Sequence, residues 1–186
     1  MKYIKDEEFI RGNPPMTKEN IRILSIAKMC LDTDSKVLDI GAGTGSISVQ
    51  ASIISKKGKV IAIEKEEDAL EVLIKNKEKF NCNNLSVIKG EALEVSENIN
   101  ETFDAIFIGG SGGNIKEIIN VYSEKLKKEG KMVLNFITIG NLYKSLETLK
   151  ELHMKTEFIQ VSISNGNRAN MLVSNNPIFI VTAEKI

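Results

Sequence analysis

The residues in this sequence whose types and spacing could do chemistry are Gly41, Gly43 and Gly45, at alternate positions, and Glu64, 19 residues beyond the last of them. The glycines sit in Lys36-Val37-Leu38-Asp39-Ile40-Gly41-Ala42-Gly43-Thr44-Gly45-Ser46, which reads as an apolar strand, a tight turn and the start of a helix. Glycine adopts dihedrals closed to other residues and leaves no Cβ to hinder a ligand. The helix that follows directs free N–H groups and the positive end of its dipole into the turn, so an anionic group fits there. Lys59-Val60-Ile61-Ala62-Ile63-Glu64 reads as a second strand ending on a carboxylate, where an acid grips a ribose diol in nucleotide-binding βαβ units. A dinucleotide fingerprint is G-x-G-x-x-G; here Gly45 comes one place early and Ser46 takes the third glycine position. A turn that merely packs would account for the glycines but not for Glu64.

The elements that must position these residues are read from periodicity. Residues 1–16 show no clear period, and Arg11–Met16 reads as a loop. Thr17 is expected to N-cap a helix over 18–31, with Ile23, Ile26, Ala27, Cys30 and Leu31 as its buried face. A helix over 66–80 turns Ala69, Leu70, Leu73 and Phe80 inward. Strands are expected at Leu85–Lys89, Phe103–Ile108 and, after a turn at Gly130, Lys131–Phe136. Helices are expected over Ile115–Leu126 and around Leu142, Leu146 and Leu149. Two β-rich stretches, Glu157–Ser164 and Ile178–Ala183, close the chain across the polar segment Asn165–Asn176. Alternating helices and strands with short connections predict a mainly parallel sheet covered on both faces, with the last two strands paired antiparallel.

At 186 residues the chain is read as one domain, residues 1–31 forming an N-terminal lid or entrance segment. With 25 basic and 25 acidic residues, no global field steers it to nucleic acid or a membrane. Cys30 and Cys82 lack metal-ligand spacing and are expected to stay reduced. The charged N-terminal stretch does not read as a signal peptide, and apolar runs are too short to span a bilayer. A cytoplasmic protein is expected.

The G-x-G-x-G form resembles the first motif of class I S-adenosylmethionine-dependent methyltransferases, whose turn holds the methionine part of the cofactor. Five βα units and a terminal hairpin resemble their Rossmann-like, seven-stranded α/β fold. Within that superfamily, Pro15-Met16-Thr17, Gly41–Ser46, Gly90-Glu91-Ala92, the double-glycine string Ile108–Asn114 and Asn176-Pro177 resemble the decarboxylating cobalt-precorrin-6B carbon-15 methyltransferases of cobalamin biosynthesis. That resemblance implies S-adenosylmethionine as cofactor, with the turn Gly41, Ala42, Gly43, Thr44 and Gly45 on its methionyl end. Glu64 would hold the ribose hydroxyls, Ala92 would lie beside the adenine, Thr17 would reach in from the entrance helix, and Glu91 is a further candidate for cofactor contact. It also implies a tetrapyrrole substrate and a homotetramer.

Methyl transfer from a sulfonium is a direct displacement, so the main demand is alignment. The loop Gly109–Asn114 offers no acid, base or thiol. A catechol-type enzyme would want a metal-binding carboxylate there and a cytosine-type enzyme a cysteine, so no metal is expected. His153 is expected at the surface. An enamine-like carbon of a reduced tetrapyrrole needs no strong base; Ser111 and Asn114 are the candidates to steady it, and Arg11, Lys18, Arg22 and Arg168 to meet its carboxylates. Other readings stay open: a methyltransferase acting on tRNA, protein or another small molecule, a nicotinamide-dependent oxidoreductase, or a nucleoside-binding module without catalysis.

Overall fold

The computed structural model describes residues 3–110, 113–166 and 169–186; Ser111 and Arg168 lie outside the described residues. Its elements are α1 (Glu19–Lys28), β1 (Lys36–Ile40), α2 (Ser46–Ile54), β2 (Lys59–Glu64), α3 (Glu67–Lys79), β3 (Leu85–Lys89), α4 (Ala92–Val95), β4 (Phe103–Ile108), α5 (Ile115–Glu124), β5 (Leu126–Phe136), α6 (Ile139–Glu151), β6 (Lys155–Val161), β7 (Ser164–Gly166), β8 (Leu172–Ser174) and β9 (Ile178–Glu184). Among the described residues the strands form a seven-stranded sheet in the order β3-β2-β1-β4-β5-β9-β6 and a separate β7-β8 pair. The first five are parallel; β9 runs antiparallel between β5 and β6. This is the α/β, class I methyltransferase architecture expected from the sequence. The order reverses between β1 and β4, and a crevice opens at such a switch point, outside the C-terminal ends of the strands.

Alternation along the strands sorts the core into two layers. Leu38, Ile40, Ile106, Ile108 and Leu134 face α5 and α6, whose Ile115, Ile118, Ile119, Tyr122 and Leu149 close that layer. Val37, Ala105, Phe107 and Val133 face the other way, onto Ile21, Ile26 and Met29 around α1 and Ile47, Val49 and Ala51 of α2. No helix among the described residues is long and apolar enough to cross a membrane.

Several expectations need correction. The first helix is shorter than 18–31: it ends at Lys28, and Cys30 takes a left-handed φ of 51° that stops it. Its N-cap is Lys18, without a side-chain cap, and not Thr17. Its buried face is Ile21, Arg22, Ser25 and Ile26, while Ala27 and Cys30 are exposed. The predicted period locks onto the wrong face because polar Arg22 and Ser25 occupy the right one. Gly130 is not a turn before β5 but lies within it, and the left-handed residue is Glu129, with φ 63°. The segment 165–176 is more than a connector, since β8 pairs in it with β7.

Arg22 explains how the N-terminal stretch is held. Its guanidinium is fully buried, pairs with Asp6 at 3.0 Å, and donates to the carbonyls of Thr17, at 2.8 Å, and Ile4. It also lies 4.7 Å over the ring of Phe9, which packs on Phe80 with centroids 5.1 Å apart. Farther along, the backbone of Ile10 meets Asn76 of α3 twice: its N–H donates to Oδ1 at 2.8 Å and its carbonyl accepts from Nδ2 at 3.0 Å. The segment thus crosses α2 and α3 and delivers residues 13–18 to the mouth of the crevice.

Candidate functional site

All three glycines of the turn are left-handed, with φ of 69° at Gly41, 55° at Gly43 and 76° at Gly45. Only glycine adopts these dihedrals without penalty. The space a Cβ would fill belongs mainly to the protein. At Gly41 it would meet the backbone of Gly110 at 2.9 Å, at Gly45 the side chain of Leu73 at 2.9 Å, and at Gly43 the carbonyl of Pro15 at 3.2 Å. Close packing and a ligand cradle therefore coincide. The N–H groups of Gly41 and Ala42 donate to Ile63 at 3.0 Å, clamping the turn to the end of β2.

Glu64 ends β2 almost buried, 7% exposed. Its Oε2 accepts the N–H of Gly43 at 2.7 Å, and its Oε1 accepts those of Lys65 at 2.8 Å and Glu66 at 3.0 Å. Three backbone donors fix the carboxylate against the turn, each of the charge-assisted kind. Gly90, bonded to the Glu64 carbonyl at 3.0 Å, carries the chain past this carboxylate into α4. Glu91 occupies the N-cap position of that helix without a side-chain cap bond and pairs with Lys65 at 3.1 Å. Ala92 is buried, and its carbonyl accepts the Tyr122 hydroxyl at 2.6 Å; burial pushes that phenol up to about 12.

Sequence reasoning overlooked Asp39. It is fully buried at the end of β1, with one oxygen bound by Ser48 and the other, Oδ1, without a partner. Burial, with Glu64 adding to it, pushes its carboxyl up to about 7. An acid two residues before the first glycine of such a turn was the available signal.

These groups converge on one cavity of about 870 Å³, lined by the turn residues Gly41 to Gly43, Asp39, Glu64, Glu91 and Ala92, and by Thr17. Thr44 and Gly45 do not line it; they anchor the turn from behind, the Thr44 carbonyl accepting Asn76 Nδ2 at 2.9 Å. The cavity extends past Gly109 and Gly110 of the expected acceptor loop to Asn135, Phe136, Ile137 and Asn141, which the sequence does not single out for a site, and under Asn13 to Met16, which it reads as a loop. Asn114 starts α5 at an exposed position with no side-chain cap bond. Of the proposed cations, Arg22 is structural and faces no substrate, Arg11 is drawn to Asp6 at 3.9 Å, and Lys18 lines the cavity. His153 is exposed at the end of α6. Among the described residues no cluster of three or more His, Cys, Asp and Glu side chains is placed to hold a metal ion.

A buried acid with one orphan oxygen, a left-handed glycine cradle and a fixed carboxylate fit a ligand carrying an ammonium, a short charged chain and a diol. A family profile described as a precorrin methyltransferase domain matches residues 8–183. The chain belongs to the precorrin methyltransferase family. Its relatives include a Sulfolobus acidocaldarius protein named "Probable cobalt-precorrin-6B C(15)-methyltransferase (decarboxylating)", 46% identical over 98% of this chain and 97% of that one. Another is the Salmonella typhimurium cobalt-precorrin-6B C(15)-methyltransferase (decarboxylating), 35% identical over 98% and 96%. Among solved structures, the precorrin-6y C5,15-methyltransferase of Geobacter metallireducens superposes with a TM-score of 0.94 at 34% identity, covering 99% of this chain and 97% of that one. In this precorrin methyltransferase the cavity lies at the C-terminal ends of β1, β2 and β4, at the β1–β4 switch point.

Proposed function

We propose that the chain transfers the methyl of S-adenosylmethionine to carbon 15 of a corrin precursor of the cobalt-precorrin-6B type, with loss of carbon dioxide from the adjacent acetate, in cobalamin biosynthesis. The observation that carries this reading is nearly end-to-end similarity to relatives so named, at 46% and 35% identity. In support, one cavity joins the nucleoside-type cradle to a base-free glycine loop. The fold and family imply S-adenosylmethionine, which supplies an electrophilic methyl on a sulfonium.

In this reading Gly41 to Gly43 hold the methionyl end, Thr44 and Gly45 anchor the turn behind them, and Asp39 faces the ligand's ammonium. Glu64, held by three N–H groups, takes the ribose hydroxyls. Ala92 and Glu91 border the adenine, and Thr17 closes the site from the entrance segment, residues 1–31, of a single catalytic domain. Gly109 and Gly110 let a broad, flat acceptor approach, with Ser111 and Asn114 steadying it. The carbon–methyl bond forms as the sulfur–methyl bond breaks. The electron pair left by carbon dioxide passes into the conjugated ring until a proton reaches the side-chain carbon. No base on the enzyme is required for the displacement, which suits a loop without one. The resemblance also carries a homotetramer into this reading, while the unpaired cysteines suit the cytoplasm and the balanced charge argues against a nucleic-acid partner.

Mass spectrometry of the corrin product tests it. One methyl gained and one carbon dioxide lost per turnover is the expected result. A product that keeps its acetate would make this a plain methyltransferase, and no reaction would point to another acceptor.

A further inference from the structure

A second cavity of about 310 Å³ opens beside the first. Lys18, Ile21 and Ile178 line both, so an occupant of the large cavity presents its periphery to the small one. Carboxamides dominate the small cavity's polar lining: Asn20 from the first turn of α1, and Asn165, Asn175 and Asn176 from the segment around β7 and β8. Two carboxylates also line it: Asp6 is paired with cations, whereas Glu19 accepts one backbone N–H and has no cation within 4.0 Å among the described residues. Asp6 pairs with Arg22 at 3.0 Å and Arg11 at 3.9 Å, and Glu19 accepts the Asp6 N–H at 3.4 Å. Lys18 has no carboxylate within 4.0 Å among the described residues. Among the described residues Lys18 is the one cation in the cavity's lining, beside the carboxylates of Asp6 and Glu19; Arg22 and Arg11 pair with Asp6 from behind, and the Lys18 ammonium is left without an ion-pair partner.

We infer that the second cavity receives a carboxylate-bearing arm of the substrate, with Lys18 as the cation that recognises it and the asparagine carboxamides as neutral donors beside it. This rests on the proposed tetrapyrrole substrate, whose rim carries several such arms. A lysine at the shared wall suits the task, because an ammonium on a flexible stem can follow a carboxylate as the ring settles. Carboxamide N–H groups satisfy remaining lone pairs without adding charge that would hold the product.

The probe is a water-soluble porphyrin octacarboxylate, titrated by fluorescence into the full chain. Lys18→Ala should weaken binding about tenfold at low salt and flatten its salt dependence, Lys18→Arg should restore most of it, and Lys18→Glu should weaken it further. Arg11→Ala, the same change in net charge, should cost less than about threefold. Equal probe binding by wild type and Lys18→Ala, equal losses in Lys18→Ala and Arg11→Ala, or no binding by wild type would each overturn the inference. Corrin turnover, assayed separately, judges the proposed reaction: Lys18-dependent binding without turnover would sink that reaction and leave the pocket standing.

Discussion

The Glu64 carboxylate accepts the backbone N–H of Gly43 at 2.7 Å, joining the end of one strand to the middle of the turn that follows its neighbour. A residue read as a ribose ligand is thus also the brace of the glycine turn. Glu64→Ala should weaken S-adenosylhomocysteine binding by about 1.5–3 kcal/mol, the worth of a hydrogen bond to a charged group. Glu64→Gln keeps an acceptor for Gly43 and should lose less. Calorimetry on folded protein reads both, and unchanged affinity in Glu64→Ala would remove the ribose role.

Gly43→Val forces a β-branched residue to φ 55° with its Cβ 3.2 Å from the Pro15 carbonyl. The left-handed conformation alone costs about 1–2 kcal/mol. Far-UV dichroism should report an intact sheet while cofactor binding is lost. A variant that still binds S-adenosylhomocysteine normally would show that the turn is not the site.

Asp39, pushed by burial from its ordinary value of 3.8 up to about 7, binds its proton more tightly in the native state than in the unfolded chain. Its contribution to stability is fully present below pH 3.8 and falls away as pH rises to 7, the reverse of a salt-bridged aspartate. Asp39→Asn should flatten that fall in denaturant titrations. A ligand ammonium would favour the ionised carboxyl, so binding near pH 6 should release up to one proton in wild type and none from this site in Asp39→Asn. Calorimetry in buffers of different ionisation enthalpy measures it; identical proton release by both proteins would exclude Asp39.

Arg22→Met removes the cation that holds Asp6 and two backbone carbonyls. Breaking a buried pair from one side costs about 3–5 kcal/mol, and partial exposure of Asp6 lowers that to about 2–4. Urea unfolding should show the loss, and adding Asp6→Asn should recover part of it. No recovery would mean that packing on Phe9, not charge, dominates.

Activity should persist in a chelator, because Gly109–Asn114 carries no carboxylate, thiol or imidazole. Methyl transfer that stops with EDTA and returns with magnesium would refute this.

Legibility in the sequence followed locality. Leu85–Lys89 and Phe103–Ile108 are predicted with the bounds observed, because short apolar runs between polar turns encode strands directly. The glycine turn and Glu64 are legible because both sit at strand ends at a fixed spacing. The buried face of α1 is not, because Arg22 is made burial-compatible by Ile4, Asp6 and Thr17, partners that no helical period reveals. Asp39 hides inside an apolar strand. The wall from Asn13 to Met16 reads as plain loop because what makes it a wall is its long-range attachment to α3.

That attachment has a thermodynamic corollary. Asn76 donates to the Thr44 carbonyl as well as bonding both polar groups of Ile10, so one buried carboxamide belongs at once to the glycine turn and to the segment framing the entrance. Any ligand that tightens the turn must, through Asn76, raise the free energy of lifting that segment, and holding the segment down must raise the ligand's affinity by the same factor. Amide exchange at Ile10 is the reporter: its protection should grow with S-adenosylhomocysteine concentration, although the amide lies on an element separate from the turn.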